Sequence, residues 1–173
     1  MKTNPITFAI LLAVAVGNLT SIVNAEDKKS SLNAADEKFV KQAGVSGTAE
    51  VKIATLGTQK AERADVKEFA TMLVADHTKA NEELAALAKS KGVELSAVID
   101  PKSAGVFEDL EKERGADFDK AFLSHLKSAH KSTVASFEDA AKDSADADVK
   151  AWAGKMLPTL KAHLDKVIAL QGK

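Results

Sequence analysis

From Asn33 onward the apolar residues recur at steps of three and four, and this spacing constrains the fold more than any other feature of the chain. The clearest stretch carries Val66, Phe69/Ala70, Leu73, Ala80, Leu84 and Leu87/Ala88 on one face. It predicts a long helix from about Arg63 to Lys91, stopped by Gly92, a residue suited to the position just past a helix end. A first helix precedes it, with Asn33 or Asp36 as cap and a stripe of Phe39/Val40, Ala43, Gly47, Glu50/Val51, Ala54 and Gly57. Its small members allow a neighbouring backbone to come close. Gly57 to Glu62 reads as the intervening turn.

After a connection over Val93 to Ser103 that contains Pro101, Ala104 to Arg114 predicts a short accessory helix with Val106, Phe107 and Leu110 facing inward. The third main helix carries Phe118, Phe122/Leu123, Leu126, Ala129/His130, Thr133/Val134, Phe137 and Ala140/Ala141. A polar turn at Asp143 to Asp148 leads to the fourth, capped by Asp146 or Asp148, with Val149, Trp152/Ala153, Met156, Leu160, His163, Val167 and Leu170 on its stripe. Pro158 predicts a kink or break near Leu157, because proline removes a donor and collides with the preceding turn. Ala, Lys, Leu, Asp and Glu dominate, and no alternating strand pattern competes. The expected fold is all-α: an antiparallel four-helix bundle with the accessory helix between helices 2 and 3.

Each main helix breaks its own apolar stripe once, at Glu50, His77, His130 and His163. An unpaired buried charge is costly, so four such breaks, one per helix, suggest that the side chains meet. With the Gly57–Glu62 and Asp143–Asp148 turns taken as one end of the bundle, His77 lies roughly 21 Å down, His130 roughly 18 Å and His163 roughly 24 Å, at about 1.5 Å per residue. Glu50, at roughly 13 Å by the same rise, fits worst. Asp76 is a second carboxylate within reach, as a ligand or as the partner that orients an imidazole. Three imidazoles and a carboxylate suit zinc, iron or copper. A di-iron centre is not expected: it needs Glu-x-x-His on two helices, whereas Val74, Lys127 and Leu160 stand three residues before the histidines. The same residues also suit a buried polar network that only fixes helix register. His125, one position off the stripe among Ser124, Ser128 and Ser132, reads as an edge or solvated histidine, and Trp152 as ordinary core.

With 24 basic against 25 acidic residues and no block of like charge, the chain lacks the basic face a nucleic-acid partner requires. The absence of Cys excludes disulfides, thiolate metal sites and Cys nucleophiles. No phosphate loop, nucleophile elbow or paired catalytic carboxylates occur, so an enzyme is not the expectation, and a mononuclear-metal oxidoreductase finds no legible substrate channel. Lys2, the apolar run Ile6 to Val16 and the small residues of Val23-Asn24-Ala25 predict a signal peptide at 1–25, cut after Ala25. The apolar run is too short to span a bilayer. A polar mobile arm is expected at 26–33 and a single domain at 34–173, exported to the periplasm or beyond, with no membrane span in the mature chain.

Several segments carry a resemblance. Gly47-x-x-Glu50-Val51-x-x-Ala54, Val66-x-x-Phe69-Ala70-x-Met72-x-x-x-Asp76-His77, Gly115-x-x-Phe118-Asp119, His130 with Phe137, and Leu157-Pro158-x-Leu160-x-x-His163-Leu164 occur in the order of the exported bacterial family termed "domain of unknown function 4142". The chain resembles that family over most of its mature length. The resemblance implies a ferritin-like four-helix bundle, export, and recurring polar positions at Glu50, Asp76-His77, His130 and His163. Phe122 stands where a Tyr is common and Ala129 where a polar residue often precedes the His, which weakens any polar surround of His130. The family has no established activity, so no catalytic role is implied.

Overall fold

The structure, a computed structural model, describes residues 30–172; the expected signal peptide and the first four residues of the expected arm lie outside them. Among the described residues the fold is all-α, with five helices and no strand: α1 Ala34–Lys60, α2 Ala64–Ser90, α3 Pro101–Lys112, α4 Gly115–Asp143 and α5 Ala147–Gln171. The four long helices lie where the three-four spacing puts them. Asn33 is the α1 cap, its Oδ1 accepting from the backbone N–H groups of Ala35 and Asp36 at 2.9 and 2.8 Å. Asp146 is the α5 cap, accepting from Asp148 and Val149 at 3.0 Å each. Gly92 adopts φ 69° just beyond α2, as its position predicts. None of the described helices is long and apolar enough to cross a membrane.

Three expectations are corrected. The accessory helix starts at Pro101, not Ala104: Asp100 accepts from the Ser103 N–H at 3.0 Å, and Pro101 opens the helix where its missing N–H is no loss. Pro158 does not break α5. Pro158 and Gly154 both lie on the exposed face, so the carbonyl that loses its donor faces water, while Ala153, Leu160 and His163 pack inward on either side. Residues 30–33 are not a free arm. The Ser31 N–H donates to the Lys91 carbonyl at 2.9 Å, and Leu32 is buried with Val40, Leu84 and Val149.

The largest difference concerns the ends. Buried Asp36, at the start of α1, accepts through Oδ2 from the backbone N–H groups of Ala145 and Asp146 at 3.1 and 2.9 Å. Buried Asp119, at the start of α4, accepts from those of Glu62 and Arg63 at 3.1 and 2.9 Å. The α1–α2 and α4–α5 turns therefore sit at opposite ends, not at the common end assumed in the depth estimate. Arg63 donates to the Leu170 carbonyl at 3.0 Å at one end, and Lys91 pairs with Asp146 and Asp148 at 2.7 Å at the other. α1 packs on α2 and α4 on α5, and the segment carrying α3 returns along the molecule between the two pairs. The Lys60 ammonium fastens the end of α3 through the carbonyls of Leu110 and Glu111.

The core has two ends with the polar residues between them. One end holds Ile53, Leu73, Phe118, Phe122, Leu126 and Val167. The other holds Val40, Leu84 and Val149 beside Val134, Phe137 and Leu160. Small residues make this packing possible: a Cβ on Gly57 would meet the Phe122 ring at 2.4 Å, and one on Gly47 would meet the Asn81 amide at 2.0 Å.

Candidate metal centre

On each long helix the polar residue falls between the two apolar ends: His77 between Leu73 and Leu84, His130 between Leu126 and Val134, His163 between Leu160 and Val167, Glu50 between Val40 and Ile53. The three rings meet. Their centroids are 5.7 Å apart for His77–His130 and 5.4 Å apart for both His77–His163 and His130–His163. Each histidine offers one nitrogen such that the three lie within 4.8 Å of one another.

Their outer partners fix which nitrogen is free. The His130 Nδ1 lies 2.9 Å from the Leu126 carbonyl, which can only accept, so Nδ1 carries the proton and Nε2 the lone pair. The His163 Nε2 lies 2.9 Å from Asp76 Oδ2, which leaves Nδ1 as the lone-pair nitrogen when that carboxylate accepts. His130 Nε2, His163 Nδ1 and His77 Nε2 are all buried without a hydrogen-bond partner. Asp76 thus takes the orienting role open to it, and the Leu126 carbonyl orients His130. Phe122, fully buried and stacked on Phe118 at 5.5 Å, belongs to the apolar end two turns away.

Glu50 does come in, at 3.7 Å from His130 through Oε1 and Nδ1. It stands on the proton-bearing side of that ring and outside the group of three convergent nitrogens. Its Oε1 is also buried without a hydrogen-bond partner. Burial pushes the Glu50 carboxyl up to about 7. Burial, reinforced by the neighbouring His130 and His163, brings His77 down to about 3. Burial likewise brings His130 down to about 4, against the hydrogen bond to Leu126. At neutral pH these two rings are uncharged and able to donate lone pairs.

A cavity of about 260 Å³ adjoins the cluster. His77, His163, Glu50 and Asp76 line one part of it, and Phe39, Phe137 and Trp152 another. No reading of the sequence located this space. Trp152, expected as plain core, lines it, and its Nε1–H is buried without a partner. A donor-only side chain on an apolar stripe was the available signal. His125 is half-buried beneath α3, in a separate hollow bounded by Lys102 and Ser128, and burial there lowers its pKa.

These features define an all-α protein with a three-histidine cluster between its apolar ends. The chain belongs to the family described as "Domain of unknown function (DUF4142)", whose sequence profile matches residues 22–170. The structure is similar to that of a DUF305 fragment from Deinococcus radiodurans, with a TM-score of 0.73 and 14% identity over 82% of this chain and 97% of that one. At that identity the likeness concerns the fold. No curated protein matches the sequence.

Proposed function

We propose that this is an exported, non-catalytic protein with a ferritin-like bundle of α1, α2, α4 and α5 that binds one metal ion between His77, His130 and His163. The observation that carries the reading is that three histidines converge, each with one buried ring nitrogen that lacks a hydrogen-bond partner. Buried polar atoms are rarely left so, and three together at one point suit one shared electrophile. Metal–imidazole bonds of about 2.0–2.1 Å put tetrahedral donors about 3.4 Å apart, so rings that now span up to 4.8 Å close on the ion by small side-chain adjustments. Neutral imidazoles suit zinc, iron or copper. His77, His130 and His163 are the ligands, Asp76 and the Leu126 carbonyl orient two of them, and Glu50 is the adjacent carboxylate. Three protein ligands leave a further position for water or another small group. Export rests on the sequence pattern at 1–25, and a role in metal handling or stress in the cell envelope is the setting we infer from it.

A second reading is favoured by the hydrogen bonds of His163 to Asp76 and His130 to Leu126: a polar network that sets helix register and binds nothing. Metal analysis of the purified mature chain after exposure to zinc, ferrous iron or cupric ion separates the two. The metal reading expects about one ion per chain, lost in His77→Ala and in His163→Ala but retained in His125→Ala. No bound metal in the parent chain supports the register reading.

A further inference from the structure

The geometry points to a second ligand: the cavity beside the histidine cluster receives a small monocarboxylate with an apolar tail, its carboxylate reaching the metal's remaining position. The inference rests on the metal reading above. Its first support is placement. The cavity is walled by His77 and His163 at one part and by an aromatic group at another, where Phe39 lies 5.1 Å from Phe137 and Trp152 lies 5.3 Å from Phe137. A molecule filling it spans from the ion to apolar rings.

The second support is the chemistry of the wall. The Trp152 indole N–H can only donate, and it is buried with no acceptor. A carboxylate brings two acceptor oxygens, one for the ion and one for this N–H, while the tail lies against Phe39 and Phe137. Ser46, Thr133 and Thr159 add hydroxyls that can donate to such an oxygen. Charge points the same way. With buried Glu50 protonated, Asp76 and Glu83 face Lys79 and Lys155, two charges of each sign. A divalent ion then leaves the wall positive, an excess that an anion reduces. Without the ion that excess is absent.

The third support is size. Ala43 and Ala80 hold the space open on the α1 and α2 side. At about 260 Å³ it lies just below the roughly 300 Å³ where ligand pockets begin, so the occupant is small. Ala80 stands one turn beyond His77 and is no member of the packed clusters, so a larger side chain there fills cavity rather than core.

Trp152 is the only tryptophan of the chain and reports the cavity directly. The test titrates benzoate into the zinc-loaded mature chain and follows tryptophan emission, with zinc content measured on the same samples. A saturable change is expected, at least ten-fold weaker in zinc-free protein. It should be lost in Ala80→Leu while zinc content and circular dichroism stay at parent values. Trp152→Phe, followed by calorimetry, should weaken benzoate several-fold without loss of zinc, which covers the case of a poorly folding Ala80→Leu. Zinc bound at one per chain with no benzoate response up to millimolar concentration overturns this inference and leaves the metal reading intact. Preference of the zinc-loaded chain for benzylamine over benzoate overturns it as well. Failure to bind zinc at all removes both.

Discussion

Each of three imidazoles ends in a buried nitrogen with nothing to bond, and that shapes what substitutions at the site should do. An unsatisfied buried polar atom costs about 1–3 kcal/mol, so His77→Leu, close in volume and apolar, should stabilise the metal-free chain by about 1 kcal/mol in urea unfolding. The same change should abolish metal binding. A register network would instead lose stability. The pH response follows from opposed groups. His77 and His130, near 3 and 4 in the folded chain against 6.5 unfolded, take up protons on unfolding between those values, so their contribution is lost as pH falls from about 6.5 towards 4. Glu50, near 7 against 4.5, does the reverse, and its contribution declines as pH rises from about 4.5 through 7. Two histidines outweigh one carboxyl, so the melting temperature of metal-free protein should fall on acidification below pH 6. In Glu50→Gln this opposing contribution is absent, so stability should fall more steeply on acidification below pH 6 than in the parent chain. The histidines themselves were legible as polar breaks in apolar stripes. The Trp152 N–H was not, because an indole at a core position looks the same from sequence whether or not a partner reaches it.

At the scale of the helix, boundaries were readable wherever a cap is local. Asn33, Asp146 and Gly92 act within a few residues of themselves. Asp100-Pro101 is the same kind of signal, and the accessory helix begins there. What the pattern could not reveal is capping between distant segments: Asp36 closes the α4–α5 turn and Asp119 the α1–α2 turn, each from a helix far off in the chain. These two carboxylates also decide which turns share an end. His77 and His130 stand near the middle of α2 and α4 and have nearly the same depth from either end, so their common level survives the wrong pairing of turns; His163, nearer the C-terminal end of α5, is placed beside them by the α4–α5 packing. Asp36→Ala should destabilise the chain by about 2 kcal/mol, since charged acceptors of backbone N–H groups contribute about 1.5–3 kcal/mol. Thermal unfolding would register that as a fall of several degrees. Gly57→Ala, with its new Cβ within 2.4 Å of the Phe122 ring, should cost about 1–3 kcal/mol through overpacking despite the better helix propensity of alanine.

For the molecule as a whole, two apolar ends enclose a polar waist, and the buried ring nitrogens without partners lie in that waist. The family and the all-α fold were legible from stripes and short motifs spread over the chain. The cavity was not, because it exists only once four helices have been set at a common level. An ion held in the folded chain and not in the unfolded one should stabilise it by about 2.7 kcal/mol at a hundred-fold excess over its dissociation constant. Melting temperature should therefore rise with zinc in the parent chain and stay flat in His77→Ala. The most direct measurement is the X-ray absorption fine structure of the zinc-loaded mature chain. The expected result is a four-coordinate shell at about 2.0–2.1 Å with scattering from three imidazoles. A shell of oxygens alone, or an unchanged spectrum in His77→Ala, would contradict a metal centre at these histidines.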